Sequence, residues 1–258
     1  MEDTRQNLAI RDGRVVTPTG IIEGDVCISN GKVASVGLPA SDAMASISAK
    51  GKWVMPGGVD PHAHIEQMSG MGQLNADTFE TATKSAAMGG TTTVISFAAQ
   101  AHGQSLMDTV SDYKARAVRG ALIDHAFHIS LSDTAVSGFE GDLAHLINFG
   151  HRSLKVFTTY NIQLSDAEIL KVLHHAREAG ALVCIHAEND AIIAQARETL
   201  VAAGCLAPRY HAKSRPRMAE IETVERMCRF AEYVGQPVML FHISTAEAAA
   251  SIRAAKAR

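Results

Sequence analysis

The sequence predicts an α/β fold headed by a small all-β unit. Two observations carry this. The first fifty residues are short apolar runs joined by tight-turn signals. From Trp53 onward, strand-like apolar runs alternate with amphipathic stretches. That alternation builds a parallel sheet with helical crossovers.

At the head, Leu8-Ala9-Ile10-Arg11-Asp12-Gly13-Arg14-Val15-Val16 places an Asp-Gly turn signal between two apolar runs. Further on, Asn30-Gly31 separates Val26-Cys27-Ile28 from Val33-Ala34-Ser35-Val36, the strongest kind of short hairpin signal. Residues 1–52 are expected to form this β unit and 53–258 the α/β body. Strands are expected at 54–59, 92–97, 123–129, 153–157, 182–186 and 238–242. Helices are expected at 76–88, 166–179 and 219–233, with a last one at 245–258. Ser165-Asp166-Ala167-Glu168 supplies a capping residue and first-turn acids. Gly180 and Gly89-Gly90 stand where helices stop. A doubly wound sheet and a barrel both satisfy this order.

Composition excludes several classes. With 258 residues, 47% hydrophobic and 20% charged, the chain is no disordered tail, collagen or disulfide-stapled miniprotein. A formal charge of -3 offers no basic face for nucleic acid or a membrane surface. No apolar run approaches the ~18 residues of a membrane span. Met1-Glu2-Asp3-Thr4-Arg5 lacks the pattern of a signal peptide. Cys27, Cys184, Cys205 and Cys228 are scattered without a CxxC pair and read as free thiols. The expectation is a cytoplasmic protein with neither nucleic-acid nor membrane partners.

Most of the 12 histidines sit in polar or helical surroundings. His125 and His128 flank Phe127 near a strand and read as structural. Four others share one kind of position, the C-terminal end of an expected strand. His62 and His64 stand in Asp60-Pro61-His62-Ala63-His64, where residues i and i+2 of an extended chain point the same way. His186 ends Leu182-Val183-Cys184-Ile185-His186, and His242 ends Val238-Met239-Leu240-Phe241-His242. A lone imidazole at a strand end is more often structural. Four on one sheet edge point instead to metal, because imidazole is the commonest zinc ligand and α/β folds build sites there. Lys155 lies within the apolar strand Ser153-Leu154-Lys155-Val156-Phe157. It is either a snorkelling or paired lysine, or an amine whose pKa burial lowers until it is free to react. Reaction with CO2 would give an anionic carbamate able to bridge two metal ions. Two bridged metals suit hydrolysis, since they share a hydroxide nucleophile and polarise a carbonyl.

These residues, with Met55-Pro56-Gly57-Gly58-Val59, Ala87-Met88-Gly89-Gly90-Thr91-Thr92-Thr93, Lys155-Val156-Phe157-Thr158-Thr159-Tyr160, His186-Ala187-Glu188-Asn189, Ser214-Arg215-Pro216 and His242-Ile243-Ser244, resemble the cyclic amidohydrolases. The similarity is greatest to their dihydropyrimidinase/hydantoinase branch and covers essentially the whole chain. The resemblance implies a TIM-type (β/α)8 barrel with a small β-sandwich made from the chain ends. It implies two divalent metals, expected to be zinc: His62 and His64 hold one, and His186 and His242 the other. Lys155 would be the carbamylated bridge. Tyr160 would hydrogen-bond the oxyanion. Phe157, the segment after Tyr160 and the loop 66–72 would shape the substrate pocket. The implied reaction opens a 5,6-dihydropyrimidine or 5-substituted hydantoin to an N-carbamoyl amino acid, in a homo-oligomer, commonly a tetramer. Dihydroorotase-like members follow HxH with a carboxylate-gripping arginine. Here Ile65-Glu66-Gln67 follows, which argues for a substrate without a carboxylate and leaves allantoinase the less close match.

The family's general base is an aspartate on an eighth barrel strand. The strands counted here recur roughly every 37 residues, in keeping with a barrel of ~250 residues, and stop at six. The expectation is a C-terminally truncated barrel of about six βα units with part of a sandwich. Alone it is expected not to turn over substrate. The alternative is an inactive relative that acts only by association.

Overall fold

The computed structural model describes residues 8–41, 45–68 and 72–258. The N-terminal residues 1–7 and part of the expected pocket loop, 69–71, lie outside the described residues. The chain divides into two compact units, Met1–Gly58 and Val59–Arg258.

The first unit is a mixed sheet of β1 (Leu8–Thr17), β2 (Gly20–Ser29), β3 (Lys32–Val36), β4 (Ala45–Ser48) and β5 (Trp53–Val54). β1, β2 and β3 pair antiparallel, while β4 and β5 run parallel to β1. The Asn30-Gly31 turn forms as expected, with both residues at positive φ. The Asp12-Gly13 signal does not make a turn. Both residues lie inside β1, where the register shifts in a bulge. Asp12 takes φ 57° there, and its N–H donates to Asp25 Oδ1 at 2.9 Å. An Asp-Gly pair supplies left-handed backbone, and a bulge uses that as readily as a hairpin.

The second unit is built on one six-stranded sheet in the order β11-β10-β9-β8-β7-β6. Its strands are β6 (Gly58–Ala63), β7 (Thr91–Ala99), β8 (Asp124–Ser130), β9 (Ser153–Phe157), β10 (Leu182–His186) and β11 (Val238–Leu240). Neighbours from β7 to β11 pair in parallel. Helices α1 (Phe79–Met88), α2 (Leu106–Gly120), α3 (Phe139–Phe149), α4 (Asp166–Ala179) and α5 (Asp190–Ala202) follow successive strands. After α5 come the short α6 (His211–Ser214), then α7 (Arg217–Val234), and after β11 comes α8 (Ala246–Lys256). This is a TIM-type α/β architecture carried to six strands. The first of them starts at Gly58 rather than at 54, because Trp53 and Val54 hydrogen-bond to β1 and Pro56 separates the two pairings.

Strand alternation decides which residues face the helices. In β9, Leu154 and Val156 are fully buried among apolar helix residues. Val183 and Ile185 of β10 do the same, against Ile169, Val172, Leu173 and Ala176 of α4. Each such side chain contributes about 1.5–3 kcal/mol. Period two then turns Lys155 and Phe157, and Cys184 and His186, to the other face. Cys184 pairs with Lys155, and His186 with Phe157, in register. The sheet also curls. His62 on the first strand and His242 beyond the last have ring centroids 5.3 Å apart. Six strands laid flat would separate them by about 24 Å.

Candidate metal centre

The curl brings the four strand-end imidazoles into one cluster. Ring centroids are 5.3 Å apart for His62 and His64, 5.3 Å for His62 and His242, and 4.7 Å for His186 and His242. Each is positioned locally. The His62 N–H donates to Asp60 Oδ1 at 2.9 Å, which shapes the strand end. His64 Nδ1 lies 2.7 Å from Gln67 Oε1, and among the described residues its Nε2 has no hydrogen-bond partner. His242 takes φ 40°, and the loop behind it is pinned by Glu220. That carboxylate accepts from the backbone N–H of Ser244 and Thr245 and from both hydroxyls.

Lys155 lies beside them. It is 1% exposed, and among the described residues its Nζ has no hydrogen-bond partner. Its surroundings are aromatic: Nζ lies 4.3 Å from the Phe241 ring centroid, 4.8 Å from Phe157 and 6.0 Å from Phe97. Burial lowers its pKa from 10.5 to about 7. Burial, then the Lys155 charge and the neighbouring imidazoles, lower His62 to about 4. His242 is depressed too, by burial and then by His186 and Lys155. His62 is therefore neutral at physiological pH, with one ring nitrogen carrying an available lone pair.

The clustered imidazoles and the buried amine are the donor types on which a two-metal site would draw. Among the described residues no three His, Cys, Asp or Glu side chains converge as a finished cation site. Two imidazole pairs do converge, and the buried amine that belongs with them is the group that could become an anionic donor.

A cavity of about 280 Å³ opens on the His186 and His242 side of this cluster, lined by Tyr160, His186, Glu188, Arg215, Phe241 and His242 among others. Tyr160 sits at φ 73°, strained for a residue with a side chain. Asp190 holds this turn, accepting from the Thr159 hydroxyl at 2.6 Å and Gln163 Nε2 at 3.2 Å. Burial raises the Tyr160 pKa, so the phenol stays a proton donor. Phe157 lies behind the cavity wall, stacked on His186 with centroids 5.6 Å apart. A larger cavity of about 680 Å³, lined by Ile95, Phe127, Phe149 and Met239 among others, includes none of the five candidate metal residues. His128 is structural, bonded to Ser153 Oγ at 2.6 Å and Pro61 O at 2.8 Å.

Sequence reasoning quoted Glu188 and Arg215 as motif residues and gave them no role. Glu188 Oε2 lies 2.6 Å from His186 Nε2 and also accepts from Arg215. Burial pushes this carboxyl up, but the bonds from His186 and Arg215 prevail and hold it below the usual range. The i, i+2 spacing that singled out His62 and His64 also relates His186 to Glu188. Glu220 carries no such signal, because it reaches the site from α7.

An amidohydrolase family model matches residues 53–206. The chain is 38% identical over 254 residues to a D-hydantoinase of Ralstonia pickettii, covering 98% of this chain and 55% of that protein. It is 39% identical to a D-hydantoinase of Rhizobium radiobacter, with the same 98% and 55% coverage. The solved dihydropyrimidinase from Brevibacillus agri matches with a TM-score of 0.91 at 36% identity, over 97% of this chain and 55% of that one. The chain thus spans about half the length of the relatives it matches.

Proposed function

The chain belongs to the amidohydrolase family, and from that premise we propose that it carries the metal-binding and oxyanion-binding parts of a cyclic-amide hydrolase. The substrate class is a 5,6-dihydropyrimidine or 5-substituted hydantoin, opened to an N-carbamoyl amino acid. The observation that carries this reading is the Lys155 amine, buried without a hydrogen-bond partner among the described residues, beside four convergent imidazoles. His62 and His64 would hold one divalent ion and His186 and His242 the other, with zinc the expected metal. When bound, the two ions would activate water near neutral pH and polarise the carbonyl under attack.

The chain's own residues do the rest. A pKa of about 7 leaves much of the Lys155 amine unprotonated at neutral pH. Its nitrogen pair can attack CO2, forming an N–C bond and releasing one proton, to give a carbamate with two donor oxygens. Tyr160, kept protonated, aims a donor at the cavity for the oxyanion. Arg215, the arginine lining the cavity, is already neutralised by Glu188. It is not free to grip a substrate carboxylate, and this favours an uncharged ring. Phe157 would support the pocket from behind through His186.

Among the described residues no helix is long and apolar enough to cross a membrane. The four cysteines are unpaired, in keeping with a cytoplasmic setting. A homo-oligomer is the expected assembly. The substrate class is tested by calorimetric titration of the zinc-loaded chain in bicarbonate. Hydantoin or dihydrouracil is expected to bind, and dihydroorotate, which carries a carboxylate, is not. Preference for dihydroorotate would overturn the assignment.

A further inference from the structure

Pro216 is the residue before α7, with φ -64°. The residue before a proline is kept out of the helical region, and Arg215 accordingly lies outside it at φ -121°, ψ 74°. That backbone sends the guanidinium into the cavity instead of along the helix. There it donates to Glu188 Oε2 and lies over the Tyr160 ring, with Cζ 4.9 Å from the centroid. Glu188 is fixed from its other side as well. Its N–H donates to Thr158 Oγ1 at 2.9 Å, and the Thr158 hydroxyl donates to its carbonyl at 2.8 Å. All three side chains are mostly shielded, at 13% exposure for His186, 17% for Glu188 and 22% for Arg215.

We propose that Glu188, clamped by Arg215, is a positioning residue that commits His186 Nε2–H and leaves Nδ1 as the atom His186 offers a metal, while the same arginine seats the ring of Tyr160. The proposal rests on the metal-site reading above. A carboxylate on the far nitrogen of a ligating imidazole fixes both tautomer and ring direction. Thr158 ties the Glu188 backbone beside the end of β9, which holds its carboxylate toward His186. Arg215 therefore joins two parts of the site that lie on different strands: the ligand at the end of β10 and the phenol after β9. Lysine cannot replace it in full, since an ammonium can pair with Glu188 but presents no planar face to the tyrosine.

The test uses the metal-free 258-residue chain, with histidine tautomers read by nitrogen NMR and Tyr160 by 3-fluorotyrosine NMR. In the unaltered protein His186 is expected to carry its proton on Nε2, and Tyr160 to give one sharp fluorine line. Arg215→Ala is expected to average the His186 tautomers and to shift or broaden the Tyr160 line. Unmoved Tyr113 and Tyr233 lines show that the fold is retained. Arg215→Lys should restore the His186 signal and leave Tyr160 displaced. Glu188→Ala should weaken one of two zinc sites by about 10–100-fold and leave the other unchanged. A proton on His186 Nδ1, or both signals unmoved in Arg215→Ala, overturns the proposal. Two zinc ions bound without the His186 signature overturn the clamp and leave the metal reading standing. The signature without zinc binding overturns the metal reading, and with it the clamp's purpose.

Discussion

Lys155 shows what one residue at one strand parity does. Shifted by one position along β9, its side chain would enter the helix-facing core with Leu154 and Val156. At 155 it enters an aromatic enclosure beside the imidazoles. In the unfolded chain the amine stays charged to about pH 10.5, whereas in the fold it is charged only below about 7. Between those values the unfolded state binds more protons, so stability rises with pH across that window. The penalty is therefore full below pH 7 and vanishes near 10.5. Lys155→Met, assayed by urea unfolding without metal or bicarbonate, should stabilise the chain by on the order of 4 kcal/mol at pH 7. The gain should shrink steadily toward pH 10. An unchanged or lower midpoint at pH 7 contradicts the burial account. Lys155 was legible in the sequence because a cation in an apolar strand breaks the local pattern. The enclosing Phe97 and Phe241 were not, because ordinary core aromatics look the same in sequence.

The elements that were legible carry strong local signals. The run 166–179 was marked by its first-turn acids and Gly180, and the helix has those bounds. Its Ser165 hydroxyl accepts from the Glu168 N–H, and the Glu168 carboxylate accepts from the Ser165 N–H, a reciprocal box. The same carboxylate accepts from the Thr134 hydroxyl at 2.9 Å, tying α4 to the loop after β8. Ser165→Ala should cost about 1 kcal/mol, read as a lower urea midpoint. A neutral result would mean that packing on Ile169 and Leu173 alone sets the helix start. Strands 153–157 and 182–186 were legible to the residue from their apolar runs. The expected strand at 238–242 ends at Leu240 in the structure, since Phe241 pairs only singly, donating to Ile185 O at 3.1 Å. Asp12-Gly13 misled for a different reason, because the bulge uses left-handed backbone at Asp12 alone, where a two-residue type I′ hairpin turn needs it at both positions. The grouping of the four imidazoles depended on curl, which no local pattern encodes.

Within the unit Val59–Arg258, the sheet keeps two edge strands, β6 and β11. β11 is short; Met239 within it is 46% exposed, and Tyr233 near the end of α7 is 78% exposed. An unpaired strand edge of this kind invites pairing with another chain. The purified chain should self-associate at micromolar concentration in sedimentation velocity. Met239→Lys should shift it toward monomer, since an edge charge disfavours pairing. A wild-type monomer at every concentration contradicts this.

In the proposed site Lys155 would become an anionic donor shared by two imidazole-held metals. The chain loaded with zinc in 13C-bicarbonate should show one carbamate carbon signal together with two zinc ions per chain. Both should be lost in a folded Lys155→Ala variant. Two zinc ions bound with no labelled carbon, or a label that persists in Lys155→Ala, would contradict it.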